Sequence, residues 1–419
     1  MLDKLPTEIL NMILSYVTSH KDLKQLCEVC TRLRDCAIPC LYQCLVFNDP
    51  EATCKESAAA VNSIPRRYAS HIRDIELRVP IHYRNCYHEM DDDYVWLDDD
   101  DAFDTEDSLF DYFEYMEDEL ECGIEDGIEV KNADDRSLEY LDLSAISFEH
   151  ADAEVPFLFN AENLRTLKLR KCLGSLNLLE LASSSGKWTE LKYFELVLTN
   201  SGPTTTTKII CNFIHSAPKL ETLCLMLREP INRETLISTI RRCSSLKRLV
   251  MHSLADERNP VLGGEGMPWP SGLEHLLQDK QLACFGTSTP PRELVNQLQG
   301  LQARPSCKLL HIRATGPAMV NMYRSNICDP LYHPLDIYEF AEWAFSAEGL
   351  PDLTVLAWGE FSHEGHFSEH NSLFCRSKTG YRRLNASEIS LWDLINDNMD
   401  MLAACPYTDT NVLSRTDFL

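Results

Sequence analysis

Leu138-Glu-Tyr-Leu141-Asp-Leu143 recurs along the chain. Leu164-Arg-Thr-Leu167-Lys-Leu169, Leu191-Lys-Tyr-Phe194-Glu-Leu196, Leu220-Glu-Thr-Leu223-Cys-Leu225 and Leu246-Lys-Arg-Leu249-Val-Met251 repeat it, starting 26, 27, 29 and 26 residues apart. Each copy ends in an apolar-polar-apolar alternation, the period of a strand with one buried face. Between the copies, apolar residues fall at helical spacing: Leu178, Leu179 and Ala182; Ile209, Ile210, Phe213 and Ile214; Leu236, Ile237 and Ile240. A strand and a helix at a fixed period predict stacked units, none of which encloses a core alone.

Outward from this block, Ile72-Arg-Asp-Ile75-Glu-Leu77 is an earlier copy, and Leu282 to Phe285, Leu309 to Ile312 and Leu353 to Leu356 are looser later ones. Helices are expected at Glu293 to Leu298 and Asp336 to Phe345. The array resembles leucine-rich repeats, whose units span about 20 to 29 residues. The resemblance implies an irregular α/β solenoid over residues 136–360. The asparagine or cysteine that follows the third leucine in that family is matched only by Cys172. In such a strand the leucines point inward, so Tyr140, Asp142, Thr166, Lys168, Tyr193, Glu195, Thr222 and Arg248 are expected on the concave side as a substrate-binding row. A doubly wound α/β domain uses the same alternation, but no glycine-rich phosphate loop follows any strand.

The first 48 residues have a different pattern. Leu5-Pro6-Thr7-Glu8-Ile9-Leu10 leads into Ile13-Leu14, then Val29-Cys30, Leu33-Arg34 and Leu41-Tyr42, closing on Phe47. Pro6 suits a helix start. Ile9, Leu10, Ile13, Leu14 and Val17 read as one apolar stripe, Leu23, Leu26 and Val29 as a second, and Leu33, Ala37 and Leu41 as a third. Three helices this short need a partner to cover the apolar surface left over, unless they simply cap the domain behind them. The order and spacing resemble the F-box. That resemblance implies binding to a Skp adaptor, and through it a cullin ligase, by Leu5, Pro6, Glu8, Ile9, Leu10, Ile13, Leu14, Val29, Cys30, Leu33 and Arg34. F-box, repeats and an aromatic tail together resemble F-box receptors common in filamentous fungi.

Charge divides the chain further. The net charge of -26 is concentrated between Glu89 and Asp135, where 22 acidic residues meet one basic residue, Lys131; elsewhere 43 acidic face 38 basic residues. With no basic run, nucleic-acid binding is not expected. Tyr94, Trp96, Phe103, Phe110, Tyr112, Phe113 and Tyr115 interleave the acids. A disordered loop with a short amphipathic helix and a lure for a basic partner both fit.

The expected organisation is an F-box at 1–48, a linker helix and first repeat at 49–88, the acidic insertion at 89–135, the solenoid at 136–360, and a capping region at 361–419. Seventeen cysteines without a secretory leader suggest reduced thiols in the cytoplasm or nucleus, and no apolar run is long enough for a membrane span. Cys27-x-x-Cys30 lies within helices explained by packing, and His363-x-x-His366 with His370 and Cys375 encloses Gly365, so no metal is expected. No nucleophile elbow or phosphate loop occurs. The expectation is a non-enzymatic, cofactor-free substrate receptor of a Skp-cullin-F-box ubiquitin ligase, or an adaptor-binding scaffold that promotes no ubiquitination.

Overall fold

The computed structural model describes residues 5–17, 19–48, 71–78, 138–144, 161–185, 188–198, 205–228, 232–254, 276–278, 280–289, 291–299, 301, 304–313, 334–359, 361, 371–378, 380–385 and 387–406. The acidic insertion and His363, His366 and His370 lie outside them.

Three helices open the chain: α1 (Thr7–Leu14), α2 (His20–Val29) and α3 (Thr31–Leu41). Pro6 is the residue before α1, and its carbonyl accepts the first N–H groups, from Ile9 and Leu10 at 3.1 Å. Ser19 caps α2 by accepting from the Asp22 N–H, and the Cys30 thiol takes the same role for α3, accepting from the Leu33 N–H at 3.5 Å. Side-chain caps satisfy N–H groups that have no partner within a helix.

Twelve described strands form one sheet whose spatial order is their order in the chain. They are β1 (Cys44–Asn48), β2 (Asp74–Arg78), β3 (Tyr140–Ser144), β4 (Thr166–Arg170), β5 (Tyr193–Leu198), β6 (Thr222–Arg228), β7 (Arg248–Leu254), β8 (Cys284–Thr287), β9 (Leu309–Ile312), β10 (Val355–Trp358), β11 (Ser372–Ser377) and β12 (Gly380–Leu384). β1 to β10 run parallel, and β11 and β12 complete the sheet antiparallel. Gly380, at φ 130°, adopts a backbone conformation closed to most side chains at the start of β12. Because the order never reverses, the sheet has no doubly wound switch point among the described strands.

The register follows the repeat. Leu141 lies beside Leu167, Leu167 beside Phe194, and Phe194 beside Leu223, so each apolar position stacks on its counterpart. The helices described on this face include α4 (Ser175–Ser185), α5 (Thr205–Ser216), α6 (Arg233–Arg242), α7 (Pro291–Gln299) and α8 (Pro334–Phe345). Leu179, Ile210, Phe213, Leu236, Ile240, Leu294 and Phe340 join the strand leucines in one buried cluster. The backbone adds a ladder where the strands begin: the carbonyls of Glu139, Arg165, Lys192 and Glu221 each accept two N–H groups from the next unit. Cys172, the single match at the family's polar position, donates its thiol to the Leu143 carbonyl at 3.3 Å.

Cys44–Asn48, expected to close the F-box, is at the same time the edge strand of the described sheet. One expectation needs correction. Within the capping region expected at 361–419, α9 (Ile389–Asp397) and α10 (Met399–Leu402) do not close the end of the array but pack on the sheet face opposite α4 to α8. The end is completed by β11 and β12 instead. The alternating pattern of a two-faced sheet left that second face half apolar, and Val355, Ala357, Leu373 and Leu384 bury it against Leu391, Ile395 and Leu402.

Candidate functional site

The three-helix module has a small core: Leu10, Leu14, Leu23, Leu33, Cys36 and Ala37 are buried, with Leu5, Val17, Leu26, Cys27, Cys30, Cys40 and Leu41 packed against them. Leu10, Leu14 and Leu33, expected at a partner interface, therefore hold the module together. The single stripe read on α1 is two stripes. Leu10 and Leu14 face inward, while Ile9 and Ile13 (each 39% exposed), Met12 and Tyr16 face out at the i, i+3, i+4, i+7 spacing of one helix face. Met12 and Tyr16 were missed, although their spacing from Ile9 was the available signal.

Val29 is 67% exposed, while Leu23 is buried. Six residues at about 100° each carry Val29 roughly 120° round the helix from Leu23. Pro6 and Glu8 are exposed, and Leu5 and Cys30 are half-buried. Arg34, expected as a polar partner at the rim, is exposed but gives its Nε–H to the Cys27 carbonyl at 3.0 Å. The module thus presents Ile9, Met12, Ile13, Tyr16 and Val29 on its surface, more apolar area than a closed domain needs to expose.

The second candidate is the outer face of the sheet, away from α4 to α8. In the ladder, Tyr140, Thr166, Tyr193, Thr222 and Arg248 make one row, and Asp142, Lys168, Glu195, Cys224 and Val250 the next. These are the residues expected to meet a partner. The structure aligns them but covers much of the row: Asp142, Glu195 and Thr222 are fully buried, and Tyr193 nearly so. Arg170 lies against Asp142 and Arg248 against Thr222, while the chain's own residues after α9 reach Tyr193 and Glu195.

At the centre, Arg170 joins two carboxylates. Its guanidinium donates to Glu195 at 2.7 and 3.1 Å and to Asp142 at 3.2 Å. Burial opposes the Glu195 charge, yet Arg170 outweighs it and brings the carboxyl down to about 2. Burial lowers the Arg170 charge preference, while Glu195 and Asp142 reverse this and hold its pKa well above the ordinary value. Lys168 lies 5.3 Å from the ring centres of both Tyr140 and Tyr193. The Tyr193 hydroxyl, kept protonated by burial and by the neighbouring Cys224 and Glu195, shares its proton between Glu195 (3.0 Å) and the Asp400 carbonyl (3.2 Å).

Residues 398–405 lie over this floor. The Cys405 N–H donates to Glu195 at 2.8 Å, Arg313 donates to the Cys405 carbonyl, and Arg248 pairs with the Asp400 carboxylate. Met401, Ala404 and Cys405 pack on Tyr193, Val197, Cys224, Met226 and Val250. From sequence, this cover had only one trace, the amphipathic run of Leu391, Leu394, Ile395, Met399 and Leu402. That run packs on Leu309, Val355, Ala357, Leu373 and Leu384, and it is Asp400, Met401, Ala404 and Cys405 that reach β5 to β7, 152 residues back to Arg248 and 210 to Glu195.

Among the described residues, no three His, Cys, Asp or Glu side chains are grouped as a metal site requires, and no helix is long and apolar enough to cross a membrane. Residues 2–48 match a family model described as F-box-like. The chain thus carries an F-box-like domain over residues 2–48. F-box domains typically bind Skp-type adaptors. No curated protein matches the chain.

Proposed function

We propose that this protein is the substrate-recognition subunit of a Skp-cullin-F-box ubiquitin ligase. The F-box-like domain holds the adaptor, and the leucine-rich-repeat-like sheet holds a target protein. The observation that carries the reading is the apolar stripe Ile9, Met12 and Ile13 of α1, continued by Tyr16 in the turn after it, left open inside the segment that matches the F-box-like model. Such a stripe on a module with its own core is available to a partner. The protein performs no chemistry: it raises the effective concentration of target lysines near a ubiquitin-loaded enzyme, in the cytoplasm, the nucleus or both.

The test is co-purification with a Skp-type adaptor, comparing wild type with Ile9→Asp/Ile13→Asp. Both positions are partly exposed, so the variant is expected to keep its fold, seen as an unchanged circular dichroism spectrum, and to lose adaptor capture at least tenfold. Equal capture would refute the adaptor role. Cullin co-purification, with accumulation of a target when the chain is deleted, would distinguish a receptor from a scaffold that promotes no ubiquitination.

A further inference from the structure

The chain's own C-terminal strap sits on the sheet as a bound peptide would, and we infer that the outer face of β5 to β9 is a peptide-recognition site occupied in cis by Asn398–Cys405. The inference rests on the proposed role of the sheet as the partner-binding half, and names the chemistry of that partner.

Four polar contacts hold the strap, and three of them use its backbone. The Cys405 N–H meets Glu195, the Cys405 carbonyl meets Arg313, and the Asp400 carbonyl meets the Tyr193 hydroxyl. Only the Asp400 carboxylate on Arg248 reads a side-chain charge. The strap opens with the helical turn α10 and presents backbone groups from either side of it, so it is held mainly by backbone capture with one side-chain charge. The apolar part is shallow: Ala404 and Cys405 are small, and on the floor the lack of a Cβ at Gly286 makes room for the Val250 side chain, which a Cβ there would meet at 2.9 Å.

Part of the floor keeps its partners without the strap, although Arg313 would give up the Cys405 carbonyl. Glu195 is held by both nitrogens of the Arg170 fork, and Arg248 donates its Nε–H to Thr222 at 2.8 Å. Lifting the strap therefore strands neither Glu195 nor Arg248 without a partner, which is the preorganisation a binding surface needs. The strap, in contrast, is held in an awkward shape: Cys405 sits at φ 55°, in the left-handed region that non-glycine residues seldom adopt and that persists where surrounding contacts impose it. The Arg248–Asp400 pair lies at the rim, each side chain more than a third exposed, where opening would start. The partner that fits is a segment with an acidic side chain followed, four and five positions later, by small residues.

The experiment uses the full-length protein, wild type and Asp400→Arg, and a fluorescein-labelled synthetic peptide of residues 396–406 under reducing conditions. In the wild type, strap amides are expected to exchange with deuterium at least tenfold faster than those of β6. In Asp400→Arg, residues 398–405 should lose protection at least a further tenfold while β5 to β7 keep theirs. The peptide should then bind Asp400→Arg at least tenfold tighter than wild type, and a peptide carrying Asp400→Arg should bind that variant at least tenfold more weakly. Strap and β6 exchanging together in the wild type, a variant that keeps its strap protected or unfolds as a whole, or peptide binding that is absent or indifferent to the acidic residue would each overturn the proposal. Adaptor capture measured in parallel reports on the receptor role separately: its loss would undo that reading and leave the peptide result standing.

Discussion

The F-box-like domain and the outer sheet face treat apolar and polar surface in opposite ways. The small domain buries six residues in its core and leaves Ile9, Met12, Ile13, Tyr16 and Val29 on its surface. The sheet buries charge, closing Glu195 and Asp142 over Arg170 beneath a strap of its own chain. The difference lies in what each region has within reach. Among the described residues no further segment folds over the three helices, whereas Asn398–Cys405 return across the face of the sheet. A surface left apolar in the first case invites a partner, while in the second the chain supplies the occupant itself.

The sharpest way to break the contrast is to remove the charge at the centre of the sheet. Arg170→Ala leaves two carboxylates buried without their cation and is expected to cost about 3 to 5 kcal/mol, read as a drop in the urea midpoint at pH 7. In the helical module, Leu10→Ala is expected to cost about 2 to 5 kcal/mol of that region's stability, because Leu10 is 1% exposed and its loss leaves a cavity. Ile13→Ala, one turn along but facing outward, should cost under about 1 kcal/mol while weakening adaptor capture. A reversal of those two sensitivities would mean that the inner and outer stripes had been exchanged.

Acid provides a finer probe. The Glu195 carboxyl lies at about 2 in the folded protein, below its ordinary value near 4.5. The folded state therefore holds the charged form more tightly than the unfolded chain does. The resulting stabilisation, about 3 kcal/mol at most, is complete above about pH 5 and is lost as pH falls from 4.5 toward 2. Urea unfolding at pH 5 and pH 3 should show the decline, and Glu195→Gln should flatten it. At Gly286→Ala, a Cβ pressed against Val250 should cost about 1 to 3 kcal/mol by thermal unfolding, more than Ile13→Ala.

Much of the sheet was legible in the repeats. Leucines at fixed positions specified strands from Tyr140 to Leu254, their register and the helices between them, because a period of two and a period near 3.6 are written directly into side-chain polarity. The edge strand Cys44–Asn48 was not legible, since five residues beside a helix carry too short an alternation to separate from it. Inner and outer stripes on α1 were merged for a related reason: Ile9 and Leu10 are both apolar, and only packing distinguishes a residue that closes a core from its neighbour that does not.

The sequence alone determined the periodic part of this protein and the helical module at its start, since local polarity patterns dictate local structure and their spacing dictates stacking. Only the tertiary structure decided which apolar residues remain open and which polar row is covered. That outcome depends on where Asn398–Cys405 comes to rest, and its contacts with Glu195, Tyr193, Arg248 and Arg313 join residues far apart in the chain, whose pairing no local pattern records.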